Sequence, residues 1–145
     1  MAAHRRLLTR DRLIKWGVVA DKTCPLCNLE DESIEHVFFK CEISTQIWKH
    51  ILQWQGIKRD SKCWDEELTW VVQNASGKSP GAAVYRMLLS AIIYYIWNER
   101  NQRVFTNKQQ GKEVIIKKIV QDVHHRGAMK QRIAKWLEQL NFYPL

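Results

Sequence analysis

The sequence predicts a mainly α-helical protein interrupted by one short, non-periodic module, and three observations lead there. Apolar residues recur at three- and four-residue spacing through most of the 145 residues, as in helices that each bury one face. Between Val18 and Cys41 that rhythm is lost, yet three of the four cysteines and one histidine fall there. Six glycines and three prolines leave no room for a low-complexity tract, and 46% hydrophobic with 26% charged residues is the balance of a chain that folds.

Taken in order, Thr9 is placed to cap a short helix from Arg10 to Trp16, with Asp11 favoured by the helix dipole and Gly17 as a left-handed stop. Leu13, Ile14 and Trp16 give it an apolar side. The following stretch carries an acidic turn, Glu30-Asp31-Glu32, and an apolar run, Val37-Phe38-Phe39, and reads as loop with a short strand pair. Ser44 opens a second helix with Ile47, Trp48, Ile51 and Leu52 at helical spacing, ended by Gly56. Asp65 is expected to cap a third, with Leu68, Val71 and Val72 inside, and the Ser, Gly and Pro content of 74–81 breaks it.

Pro80 suits the first turn of a long helix reaching about Phe105, apolar on nearly every face between Met87 and Trp97 and therefore the spine of the C-terminal half. Past Gly111, Ile115, Ile116, Ile119, Val120 and Val123 form one stripe. Gly127 interrupts before a last amphipathic set, Ile133, Trp136, Leu137 and Leu140. These signals divide the chain into a loop module with its flanking helices (1–57), a connecting segment with one helix (58–80) and a basic helical region (81–145).

The formal charge is +8, and from Lys108 to Leu145 eight Lys/Arg stand against three Asp/Glu. Such an excess attracts polyanions. Arg10, Arg12 and Lys15 beside the loop, and Lys117, Lys118, Lys130, Arg132 and Lys135 near the C-terminus, are the candidates for phosphate contact, each equally readable as a solvated helix face. Most of the seven tryptophans fall on apolar stripes; Trp54 and Trp64 are the two expected at the surface for base stacking. The apolar stretch Met87–Trp97 is eleven residues, against the roughly 20 of a membrane-spanning helix, so no membrane partner is expected. The N-terminus lacks the apolar region of a secretory signal, which favours a reducing intracellular compartment, nucleus or cytoplasm, over export; Arg5, Arg6 and Arg10 only faintly suggest an organelle presequence.

The spacing Cys24-x2-Cys27-x8-His36-x4-Cys41 carries the sharpest chemistry. A Cys-x2-Cys turn aims two sulfurs at one centre, and soft thiolates with an imidazole in a set of four suit a single tetrahedral Zn2+. With every position filled by protein, none is left for water or substrate, so such a zinc is structural. A redox Cys-x-x-Cys would want a βαβ context, and a zinc deaminase would want a His-x-Glu that occurs nowhere here. A chance cluster of buried thiols is the plain alternative. His50 and Cys63 remain alternative donors by residue type, although His50 falls on a helix surface and Cys63 reads as a small hydrophobe. The expected fold is thus mainly α, with a small zinc-stabilised loop or short β-hairpin module flanked by helices and followed by a C-terminal helical region.

Leu8-Thr9-Arg10-Asp11-Arg12-Leu13, Gly17, Cys24-Pro25-Leu26-Cys27, Glu35-His36-Val37-Phe38-Phe39, Cys41 and Trp48 together resemble the zinc-binding domain that follows the reverse transcriptase in plant non-LTR, LINE-type retrotransposons. The resemblance covers about residues 7–52. Ile96-Trp97-Asn98-Glu99-Arg100-Asn101-x-Arg103-x-Phe105 is similar to a segment near the end of the same reading frames. It implies a module downstream of a polymerase, zinc on the cysteines and histidine, and some contact with template or RNA. Met1 to Arg6 stand where the family carries a further aromatic and apolar segment, which implies a truncated copy.

Catalysis is not expected. No Asp-Asp pair is present to hold two metal ions, the acids Asp11, Asp21, Asp60 and Asp122 are scattered, and no phosphate loop or nucleophile signature occurs. His124-His125 has no nearby cysteine and reads as solvent-facing. The functional expectation is a non-enzymatic structural-zinc module making weak, non-specific contact with RNA or DNA and no small-molecule substrate. The alternative is a zinc-pinned helical unit that binds a reverse transcriptase domain or itself.

Overall fold

A computed structural model describes residues 7–17 and 21–140. Among these residues six α-helices run in the order α1 (Arg10–Lys15), α2 (Glu42–Trp54), α3 (Trp64–Asn74), α4 (Pro80–Asn101), α5 (Lys112–Gly127) and α6 (Gln131–Gln139). Two π-helical turns, His36–Lys40 and Gln102–Thr106, precede α2 and follow α4. The expectations placed on Met1–Arg6, Arg5 and Arg6 included, lie outside the described residues.

Of the expected hairpin, one antiparallel bridge exists among the described residues, Thr23 to Asp31. The amides of Cys24 and Glu32 donate to the carbonyls of Glu30 and Lys22, both at 2.8 Å, and the pairing goes no further because the chain turns to present its ligands. The run Val37-Phe38-Phe39 is not strand. The π-turn buries all three side chains in different directions: Phe38 lies 6.1 Å from the Trp97 ring, and Phe39 stacks 5.6 Å from Trp48 and meets Trp64 edge-on.

Gly17 ends α1 at φ +70, but Thr9 caps it differently from expectation. The Thr9 hydroxyl donates to Asp11, and the Arg10 amide is taken instead by a Glu32 carboxylate oxygen at 2.7 Å. Trp16, assigned to the apolar side, is 61% exposed. In α2 the predicted stripe of Ile47, Trp48, Ile51 and Leu52 is buried, Gly56 follows at φ +76, and Trp48 Nε1 donates to the Phe38 carbonyl at 2.8 Å. Ser44 sits inside this helix, its hydroxyl on the Val37 carbonyl.

Of the α3 residues expected inside, Val71 packs against the core, but Leu68 and Val72 do not. Val72 is 69% exposed and Leu68 is exposed, while Trp64 and Glu67 are buried. Glu67 decides the orientation: its carboxylate accepts Arg59 in a two-point contact at 2.8 and 3.0 Å, the Tyr85 hydroxyl at 2.8 Å and the Lys62 amide at 2.8 Å. Arg59 also stacks over Trp70 at 4.6 Å, so the network is packed as well as paired. Trp54 and Trp64, expected at the surface, are both buried, because Trp54 closes onto the Leu140 carbonyl and Trp64 onto Phe39.

The long helix α4 is the spine. Ser79 Oγ accepts the Ala82 amide, Pro80 occupies the first turn, and Val84, Leu88, Ala91, Ile92 and Ile96 are buried against α2, α5, α6 and the first π-turn. Helix α5 contributes Ile115, Ile116, Ile119 and Val123 to the same core, with Val120 at its margin. Gly127 permits the α5–α6 corner: a Cβ there would lie 2.3 Å from Leu137 Cδ1 and 2.8 Å from Ile133 Cγ2.

Burial would push the Glu67 carboxyl up, but Arg59, the Lys62 amide and Tyr85 more than offset it and hold it below its usual range. A depressed carboxyl contributes stability above its unfolded value, near 4.5, and loses it as pH falls through the folded value. Glu67→Gln should therefore destabilise the protein at pH 7, with the gap to the parent closing below about pH 4.5; urea unfolding across pH measures it.

Candidate metal centre

Cys24, Cys27, His36 and Cys41 converge, their donor atoms all within 4.8 Å of one another. Three local devices bring them there. The Cys24–Cys27 turn closes through the Asn28 amide on the Cys24 carbonyl at 2.9 Å, with Asn28 in the left-handed region at φ 57. Ser33 starts the π-turn that carries His36, its hydroxyl accepting the His36 amide at 3.0 Å. The Cys41 amide then closes on the His36 carbonyl at 2.6 Å, ending that turn with Cys41 facing back to Cys24. The alternative donors His50 and Cys63 are not part of the cluster.

The distances suit zinc. Bond lengths of about 2.3 Å to sulfur and 2.0–2.1 Å to nitrogen on a tetrahedron give edges of about 3.8 Å between sulfurs and 3.6 Å between sulfur and nitrogen. Cys24 Sγ to Cys41 Sγ is 4.0 Å, and Cys27 Sγ to His36 Nε2 is 3.3 Å. Without a metal, the hydrogen bond with Cys41 and burial raise the Cys24 thiol, and the same bond holds Cys41 down; a metal binding here must displace that proton, so its affinity would rise with pH.

A second shell surrounds the ligands, and the sequence reading did not anticipate it. His36 Nδ1 faces a Glu30 carboxylate oxygen at 3.3 Å, which favours the proton on Nδ1 and leaves the Nε2 lone pair for the centre. Glu32 is buried and forms a fork-to-fork pair with buried Arg100, Nε to Oε2 and Nη2 to Oε1 both at 2.8 Å. Arg103 donates to the Leu26 carbonyl, inside the Cys24–Cys27 turn, at 2.9 Å and is itself held by Glu99 at 2.7 Å. Glu35, beside the ligand His36, accepts the Trp64 amide at the start of α3 at 3.2 Å. The available signal was a set of charges, Glu99, Arg100 and Arg103, at the end of an otherwise apolar helix.

The basic candidates separate into different environments. Arg10 is paired with Asp21 at 2.6 Å. Arg12 lies 5.9 Å over the exposed Trp16 ring, with Lys15 exposed on the same short helix. Lys118 donates to the Gln110 side chain at 2.9 Å, whereas Lys117 and Lys135 are exposed. Lys130 and Arg132 line a notch between α4 and α6 together with Lys78 and Arg86, two cations the sequence reading did not single out. His124 is half-buried against Trp54, its ring 5.5 Å away, rather than facing solvent.

Cys27→Ala should abolish the binding of one zinc per chain, read by elemental analysis, and expose the amides of residues 21–41 to hydrogen exchange. Glu30→Gln should keep the stoichiometry and weaken zinc about tenfold in a chelator competition, because it perturbs ring orientation rather than a ligand.

No curated protein and no solved structure matches the chain. Residues 1–48, which contain all four clustered ligands, match the protein family described as zinc-binding in reverse transcriptase.

Proposed function

We propose that the chain is a non-enzymatic module in which one structural zinc ion pins the loop of residues 21–41 to a helical body, and that it makes weak, sequence-independent contact with RNA or DNA in association with a non-LTR retrotransposon reverse transcriptase. The observation that carries the zinc reading is the closed donor set: four side chains supply four positions, three of them buried, so no coordination site is left for substrate. The family match over residues 1–48 supports the same reading.

The distribution of acids supports a non-catalytic role. Glu32, Glu67 and Glu99, the buried carboxylates, are each committed to an arginine, at 2.8, 2.8 and 2.7 Å. A carboxylate neutralised in this way is a poor ligand for catalytic metal ions. Nucleic-acid contact is supported by Trp16, an exposed indole beside Arg12 and Lys15, the pairing of flat ring and cation on which single-stranded bases stack.

One observation favours the protein-interaction reading. Tyr94 is 62% exposed and lines a groove of about 360 Å3 with Leu7, Ile93 and Trp97, an apolar surface on the outer side of α4 that could seat a polymerase domain. The two readings part on salt. Under the nucleic-acid reading, the zinc-loaded chain binds a fluorescent single-stranded oligonucleotide with an affinity that falls steadily between about 50 and 200 mM salt, and Trp16→Ala weakens it roughly 5- to 50-fold by loss of stacking. An affinity that does not change with salt would overturn it.

A further inference from the structure

We propose that the notch between the start of α4 and the start of α6 is a phosphodiester-binding site that grips the backbone of single-stranded nucleic acid; this rests on the nucleic-acid reading above and gives it a second point of contact. The notch has a volume of about 390 Å3. Four cations from three separate parts of the chain line it: Lys78 from the turn before α4, Arg86 from α4, and Lys130 and Arg132 from the start of α6. Among the described residues no carboxylate lines it.

Elsewhere the fold neutralises its arginines. Arg10, Arg59, Arg100, Arg103 and Arg126 each meet an Asp or Glu, at 2.6 to 3.3 Å. Among the described residues no ion pair involves any of the four notch cations, although Arg86 Nη1 is engaged by the carbonyls of Ala75 and Gly77 at 2.5 and 2.8 Å. Those two bonds fix the Arg86 guanidinium at the wall. Uncompensated like charges held around one concavity create a local positive potential that a polyanion relieves. The floor is apolar, formed by Pro80, Ala83 and Ile133, and suits the sugar or base edge between two phosphates better than a hydrated inorganic ion.

The test uses the full zinc-loaded chain and fluorescein-labelled oligothymidylate, read by anisotropy across salt. The triple variant Lys78→Gln, Lys130→Gln, Arg132→Gln removes three exposed cations and keeps Arg86, which holds the preceding turn. A control, Lys49→Gln, Lys58→Gln, Lys108→Gln, makes the same charge change at exposed lysines that do not line the notch. The notch variant should lose about tenfold or more in affinity, and the slope of log K against log salt should flatten by about 2, from three contacts at ~0.7 each. The control should stay within about threefold, and both should melt like the parent. Equal losses in the two variants would assign the effect to net charge and overturn the notch. An unchanged notch variant, with Trp16→Ala still weakened, would overturn the notch and leave the nucleic-acid reading standing. A parent that does not bind overturns both. Displacement of the oligonucleotide by polyglutamate as readily as by unlabelled oligothymidylate would overturn the phosphate assignment in favour of an acidic protein segment.

Discussion

The pair between Glu32 and Arg100 ties together two parts of the chain that lie 68 residues apart in sequence. Glu32 lies in the loop that presents the ligands, Arg100 at the end of the spine helix, and both are buried. Both groups make further contacts: Glu32 also takes the first amide of α1, and Arg100 also donates to the Asn101 side chain and the Leu8 carbonyl and stacks on Trp97 at 4.8 Å. One ion pair thus fixes the start of α1, the metal loop and the end of α4. Burying it is costly in itself, and removing either partner alone would strand the other charge at a cost of about 3–5 kcal/mol. Its value lies in position. An apolar pair could fill the space, but it could not cap α1 or fix the register of a loop that has only one β-bridge.

A metal on the four clustered donors and the packing around them would divide the work of holding residues 21–41. The ligands would cross-link the loop to itself, while Phe38 and Phe39 of the π-turn, between Trp97, Trp48 and Trp64, attach it to the helical body. Arg103 works between these levels by holding a carbonyl within the cysteine turn. The loop is small and offers little core of its own, so neither contribution suffices without the other.

The donor cluster was legible because its chemistry is written in local spacing, α2 and α5 because a single apolar stripe faces each toward the core, and α4 because its middle is apolar on nearly every face. Elsewhere periodicity misled for identifiable reasons. In α3 it weighed Leu68 and Val72 as core, whereas a buried Glu67 bonded to Arg59 and Tyr85 outweighs two exposed aliphatic side chains. Glu32 sat in an acidic turn that reads as solvent-facing, since its partner is 68 residues away and no local pattern reports a distant arginine. Trp54 and Trp64 were misplaced because their covers, Leu140 and Phe39, belong to other elements. The cationic notch was half legible: Lys130 and Arg132 stood among the C-terminal basic candidates, whereas Lys78 and Arg86, from other parts of the chain, join them only in three dimensions.

The Arg100 and Arg103 contacts also bear on how this chain can change over time. Residues 1–48 match a family on their own, yet the groups that close over their ligand loop are supplied by residues 99–103. The recognisable module is therefore not a self-sufficient unit of inheritance. A copy shortened between α2 and the end of α4 would keep all four clustered donors and lose the clamp, so the motif by itself does not report that the fold around it survives.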